Sequence, residues 1–227
     1  MNEKTKGFAI AIDGPGGVGK STAARLVAQK SDMVYIDTGA MYRAVALYMV
    51  ENRLDMHSAE SLEASLAHIK IDIVNADGVL RIYLNSRDVS ELIRTQEIAE
   101  GSSVVAENEK VRERLVAEQR QMASAGRVVM DGRDIGSNVL PWAQVKIYLD
   151  ASVEIRAKRR AKELEAKGHA VDFKKICEEI SIRDERDKNR EFNPLVQTPD
   201  AIYIDTGEMT VDEMVDVLVD IVTEAQL

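Results

Sequence analysis

Short apolar runs recur along the chain and end in aspartate or glycine: GFAIAID (7–13), MVYID (33–37), RVVMDG (127–132), VKIYLD (145–150) and AIYID (201–205). Runs this short and this continuous, closed by turn residues, predict strands buried on both faces. Helical patterns fill the gaps, among them 20–30 and about 40–52. Five such strands alternating with helices predict an α/β fold: a parallel, doubly wound five-stranded sheet with helices on both faces. Two segments break the rhythm. IKIDIVNADGVLRIYLN (69–85) alternates apolar and polar residues around Asp77-Gly78, an antiparallel hairpin signal. Residues 152–193 read as a charged helical hairpin: Ser152 caps the outward helix, Gly168 ends it, and Asp172 caps a return helix to about Asn189. Pro194 and Pro199 stop the run.

One heptapeptide occurs twice, as YIDTGAM at 35–41 and YIDTGEM at 203–209. No wider similarity flanks the copies, so duplication is not implied. Both are expected to mark strand exits on the same edge of the sheet, with the Asp-Thr pair satisfying freed backbone groups and Gly permitting the turn. Thr38 is expected to cap a helix. Thr210 and Glu213 fit a capping box after the second copy. Only the first copy continues into Tyr42-Arg43, so only the first is expected to hold substrate.

The 227 residues are 45% hydrophobic but only 4% aromatic, enough for one sizeable aliphatic core. A net charge of −9 removes any global field for nucleic acid or an anionic membrane, so a bound anion needs a local cationic cluster. Arg supplies 17 of the 30 basic residues, the better choice for bidentate contact with phosphate. Cys177 is the single cysteine, and nothing near it suggests a nucleophile. The apolar run in MNEKTKGFAIAIDG is too brief for a signal peptide, and no stretch approaches the roughly 20 apolar residues of a membrane helix. These features lead us to expect a cytoplasmic protein.

GPGGVGKS (14–21) fits G-x-x-x-x-G-K-[ST] between a predicted strand and a predicted helix, the context the motif requires. Successive backbone N–H groups and the helix N-terminus form an anion cradle. Gly14, Pro15, Gly16, Gly17, Val18, Gly19, Lys20, Ser21 and Thr22 are therefore the expected nucleotide-binding stretch. Lys20 is placed to bridge the terminal phosphates, and Ser21 to set its hydroxyl on Mg²⁺. This loop alone does not separate a switch, a mechanical ATPase and a small-molecule kinase. An N-K-x-D stretch for guanine is missing, and VVMD (128–131) falls short of a motor-type Mg²⁺ strand. Three Arg/Asp groups carry the choice: residues 38–43, DGRD (131–134) and IRDERDKNR (182–190). In the last, Arg183, Arg186, Asp187 and Arg190 recur at helical spacing and share one face. Exposed Arg–Asp pairs alone would be worth tenths of a kcal/mol. Beside a phosphate loop, they are what phosphoryl transfer to a small acceptor needs. Arg112, Arg114 and Arg120 share one helix, and periodicity does not separate their roles.

IDGPGGVGKST, DTGAMYR, ELIRTQE (91–97), DGRDIG (131–136), VKIYLDAS and RDERDKNR (183–190) run in order over about residues 8–212. With this set the chain resembles the bacterial cytidylate kinases. The resemblance implies one kinase domain over 1–227: a core of about 1–40, 100–150 and 194–227, a nucleoside-monophosphate-binding insert of about 41–99, and a lid of about 151–193. It implies ATP and Mg²⁺ as cofactors, and transfer to CMP and dCMP. It also implies a monomer with no nucleic-acid or membrane partner. Asp37, Thr38 and Tyr42 fall among the implied substrate residues. Arg43, Arg133 and Arg190 match positions around the acceptor phosphate. Ser103, Arg112 and Asp134 match those that read cytosine, and Arg183 and Asp187 the sugar pair. Arg156, Arg159 and Arg160 resemble lid arginines that reach toward ATP, with Arg159 counted, like Lys20, Arg133, Asp134 and Arg190, among the catalytic groups. A carboxylate at 134 suits the cytosine amino donor. Another small-molecule kinase acting on UMP or a different monophosphate, or a switch without turnover, are the alternatives.

Overall fold

The computed structural model describes residues 7–76, 79–124 and 126–226. The Asp77-Gly78 turn and the polar lead at 1–6 lie outside the described residues.

The five apolar runs form β1 (Ala9–Asp13), β2 (Val34–Asp37), β6 (Val128–Gly132), β7 (Val145–Asp150) and β8 (Ile202–Asp205). They make one parallel sheet in the order β2-β6-β1-β7-β8. β1 is central, and Ile10 and Ile12 are fully buried there, each worth about 1.5–3 kcal/mol of burial. One apolar layer joins β1 and β7 to α1 (Lys20–Lys30) and α8 (Val211–Ala225). On the other face, Ala9, Ala11, Ile36 and Met130 pack with Val116 and Ala123 of α5 (Glu109–Ala123) and with Ile135, Val139 and Leu140.

The 69–85 segment is a hairpin of β3 (Ile71–Ala76) and β4 (Val79–Leu84), extended by a short β5 (Arg87–Asp88). It packs with α2 (Thr38–Glu51), α3 (Ala59–Leu66) and α4 (Gln96–Val105) around a second aliphatic cluster. That cluster draws on Val111 and Leu115 of α5, so it continues past residue 99. α6 (Val153–Ala166) and α7 (Phe173–Asn189) form the charged hairpin, with Ser152 and Asp172 as N-caps. Among the described residues, no helix is long and apolar enough to cross a membrane.

The two heptapeptides sit on β2 and β8, the opposite outer strands, and leave the sheet at its shared C-terminal end rather than on one edge. In each copy the threonine hydroxyl donates to the end of the neighbouring strand: Thr38 to the Asp131 carbonyl at 2.7 Å, Thr206 to the Asp150 carbonyl at 3.1 Å. The cap of α2 is Asp37, which accepts from the Ala40 N–H at 2.9 Å, and not Thr38. Neither glycine adopts a positive φ. Each sits in close quarters instead: a Cβ at Gly39 would lie 3.0 Å from the Arg43 side chain, and one at Gly207 3.0 Å from those of Asp205 and Ile155. The capping box of Thr210 and Glu213 is present.

Candidate active site

β1 delivers the chain into the phosphate loop beside β6 and β7. Gly14 runs at φ 145°, and a Cβ there would lie 2.0 Å from the Leu149 carbonyl oxygen on β7. Gly19 is left-handed at φ 95° and opens α1. Val18 is fully buried in the core, so only its backbone can serve a ligand, and Thr22 faces outward. Lys20 is 5% exposed and its ammonium donates to the Pro15 carbonyl at 2.5 Å. Burial first, then Arg133, hold its pKa well below the usual lysine value, with Asp131 opposing.

Asp131, next to last in β6, is the residue that sequence reasoning undervalued in VVMD. Ser21 Oγ donates to its Oδ2 at 2.8 Å, and the Tyr35 phenol donates to its Oδ1 at 2.8 Å. Burial, then Asp37, push the Asp131 carboxyl up to about 6; burial, then Asp131, push the Tyr35 phenol well above its ordinary value. A hydroxyl and a carboxylate in contact are hard oxygen donors of the kind Mg²⁺ takes. No group of three or more His, Cys, Asp or Glu able to hold a metal occurs among the described residues. Two protein oxygens suit an ion that completes its shell with waters and phosphate oxygens, so the residues fit Mg²⁺.

The N-terminal end of α2 presents its cap Asp37 and, in its second turn, Arg43, paired at 2.7 Å. Tyr42 lines the same wall, its hydroxyl pushed to about 12 by burial, with the Arg112 guanidinium 5.5 Å from its ring centre. Arg112 is 1% exposed and meets Asp134 at 2.6 Å; Arg190 approaches the other oxygen at 3.3 Å, and Asn138 donates at 3.0 Å. Arg190 also donates to the Asn193 carbonyl. Arg133 donates to Asp187 at 2.7 Å. Burial opposes ionisation of Asp187, but Arg133 and Arg183 hold it below the usual carboxylate range. Burial, then Arg133, lower the Arg183 guanidinium to about 10.

Six cationic side chains thus face four carboxylates in one cleft, a local positive site inside a chain of charge −9. Nε of Arg43, Arg112 and Arg183 and Oγ of Ser103 are buried there without a hydrogen-bond partner among the described residues. Four polar atoms left so in one cleft point to a polar ligand.

Of the expected site residues, Arg156, Arg159 and Arg160 are not brought to this cleft. Arg156 is 3% exposed; it forks onto Asp184 of α7 at 2.5 and 3.1 Å and donates to the Ala151 and Gly16 carbonyls. It therefore ties both hairpin helices to the phosphate loop. Arg159 donates to the Thr206 carbonyl at 2.5 Å, which binds α6 to the second heptapeptide. Arg160 meets Gln96 at 2.6 Å and Glu163 at 3.1 Å. Arg186 also leaves the shared face, pairing with Glu107 at 2.8 Å. On α5 the structure separates what periodicity could not. Arg112 enters the cleft, Arg114 donates to the Leu66 and Ile69 carbonyls, and Arg120 holds the Asn138 carbonyl at 2.7 Å.

Asp13, the last residue of β1, is a second contributor that the sequence did not expose. Its two oxygens accept from the N–H groups of Ile135 at 2.8 Å and Gly136 at 2.7 Å, pinning the turn that carries Arg133 and Asp134. Burial pushes its carboxyl up to about 7. The folded chain then holds this proton more tightly than the unfolded chain, whose carboxyl titrates near 3.8. The stability contributed by Asp13 therefore falls as pH rises from about 4 to about 7, then levels. Asp13→Asn loses one backbone bond at every pH but cannot ionise. Its melting temperature is expected to gain on the wild type between pH 5 and pH 8; a constant offset across that range would contradict the assignment.

The chain matches the Cytidylate kinase family model over residues 10–224. It is 46% identical to the cytidylate kinase of Bacillus licheniformis, over 96% of each chain. It is 44% identical to that of Bacillus subtilis, over 96% of this chain and 98% of the relative. A crystal structure of an uncharacterized protein from Eubacterium ventriosum shares the fold at TM-score 0.52 and 14% identity, covering 96% of this chain and 99% of that one. With a family match that spans the phosphate loop, the Arg/Asp cleft and all five parallel strands, the chain belongs to the cytidylate kinase family.

Proposed function

We propose that the protein transfers the γ-phosphoryl group of ATP to CMP and dCMP, forming CDP and dCDP. The observation that carries this is Asp134, clamped between two buried arginines in the cleft that Ser103 and the phosphate loop also line. A carboxylate fixed there accepts from the 4-amino group of cytosine, and uracil leaves it unmatched. Arg43, Arg133 and Arg190 hold the acceptor phosphate. Arg183 and Asp187 face the sugar. Asp37, Thr38 and Tyr42 form the wall behind it. The backbone of 14–22 cradles the ATP phosphates, with Lys20 at the terminal ones. Ser21 and Asp131 would hold Mg²⁺, which neutralises charge on the donor phosphates when bound.

The acceptor phosphate is already anionic near neutral pH, so a general base is not needed. Catalysis then consists of alignment plus stabilisation of the transferring group by Lys20, Arg133 and Arg190. The 151–193 hairpin acts as a lid over the insert of 41–99, excluding water that would otherwise hydrolyse ATP. We place the enzyme in the cytoplasm as a monomer acting on small nucleotides and not on nucleic acid, in keeping with its acidic balance.

In a coupled assay with ATP and Mg²⁺, CMP and dCMP are expected to turn over, with UMP and AMP far poorer. Equal or faster turnover of UMP would overturn the acceptor assignment while leaving phosphoryl transfer intact.

A further inference from the structure

Tyr35 begins the first heptapeptide. It lies on β2, is 5% exposed and does not line the cleft. Its phenol nevertheless reaches the Asp131 carboxylate. Asp131 is held at three points: its carboxylate Oδ1 by Tyr35 and Oδ2 by Ser21, and its backbone carbonyl by Thr38 at 2.7 Å. Ser21 is the only one of the three that belongs to the phosphate loop. With Oδ2 turned toward Ser21, the orientation of the carboxylate depends on what secures Oδ1. Among the described residues, the Tyr35 hydroxyl is its one hydrogen-bond donor. Without the phenol, Ser21 alone among the described residues would hold the carboxylate, through Oδ2.

The second copy supplies an internal contrast. Tyr203 stacks on Tyr148 at 6.3 Å between ring centres, is half exposed and holds no carboxylate. The same residue in the same motif thus makes different contacts at the two strand exits. At position 35 its hydroxyl has a specific buried partner.

We infer that Tyr35 is a positioning residue that fixes the Asp131 carboxylate in the orientation that accepts a divalent cation beside Ser21, while touching neither nucleotide. The inference rests on the proposed role of Ser21 and Asp131 toward Mg²⁺. Hydrogen-bond partners behind a metal ligand set its orientation, and their loss costs about 10–100-fold in metal affinity.

The test compares wild type, Tyr35→Phe and Asp131→Asn. Mn²⁺ binding is followed by electron paramagnetic resonance on protein saturated with a non-hydrolysable ATP analogue. Affinity for the same analogue is measured separately in EDTA, and melting temperature alongside. Tyr35→Phe is expected to weaken Mn²⁺ binding about 10-fold, with metal-free nucleotide affinity unchanged. If Asp131→Asn weakens Mn²⁺ binding and Tyr35→Phe does not, the inference falls and the metal site stands. If neither variant changes it, both fall. An equal loss of nucleotide affinity in EDTA would mark the phenol as general scaffolding and overturn the inference.

Discussion

Lys20→Met is expected to lower kcat by roughly 10²–10³-fold while leaving the fold at least as stable as the wild type. The two halves of this expectation have one cause. The Lys20 ammonium is buried beside Arg133 and Arg183, and its charged form is disfavoured there. Its one hydrogen bond, to the Pro15 carbonyl, does not satisfy three donors. Without a nucleotide this charge is a cost to folding; on the proposed role of Lys20, a terminal phosphate would compensate it. Methionine keeps most of the aliphatic stem and removes the charge. Initial rates at saturating ATP and CMP give the first half, and thermal unfolding of the nucleotide-free protein the second. A melting temperature several degrees below wild type would show that Lys20 stabilises the loop itself, contrary to this account.

The same reasoning explains which parts of the molecule could be read from the chain. All five parallel strands were legible because strands covered on both faces read as unbroken apolar runs, and each ends in Asp or Gly, residues disfavoured in strands. The hairpin helices were legible to the residue at their caps, since Ser152 and Asp172 each precede a clean helical period. Arg183, Asp187 and Arg190 were legible as one face of a helix, and the structure turns that face into the cleft. Arg186 shows the limit: helical spacing admits it to the stripe, but Glu107 captures it on the outside.

What was hidden depends on strand order. β6 inserts between β2 and β1, and that crossover alone brings Asp131 against Tyr35 on one side and Ser21 on the other. No local spacing announces a contact between residues 21, 35 and 131. Asp13 is similar, since its partners Ile135 and Gly136 are backbone donors 122 and 123 residues away. For Arg156, Arg159 and Arg160 the motif position suggests reach toward ATP, and their partners Asp184, Thr206 and Gln96 could not be read from it. An arginine's side chain is long enough that sequence position leaves its partner open.

Asp134→Ala is expected to destabilise the protein by about 3–5 kcal/mol, lowering the melting temperature by roughly 10 °C at this chain length. Arg112 and Arg190 both place their guanidinium groups on this carboxylate, and their side chains are 2% and 4% exposed. Truncation removes the carboxylate both guanidinium groups share and leaves Asp187, 4.0 Å from Arg190, as the nearest ion-pair partner of Arg190 among the described residues. Burial already lowers the pKa of Arg190, so the remaining pair is poorly placed to tolerate the loss. The milder Asp134→Asn separates architecture from recognition. It keeps the volume and one acceptor oxygen for Arg112, but presents an amide donor where the carboxylate offered only acceptors. Cytosine then loses its match for the 4-amino group, while the uracil 4-carbonyl gains one. The ratio of kcat/KM for CMP over UMP is therefore expected to fall sharply in Asp134→Asn, at a stability between wild type and alanine. Should both variants lose stability while the ratio stays at its wild-type value, Asp134 serves the arginines alone and the base is read elsewhere in the cleft.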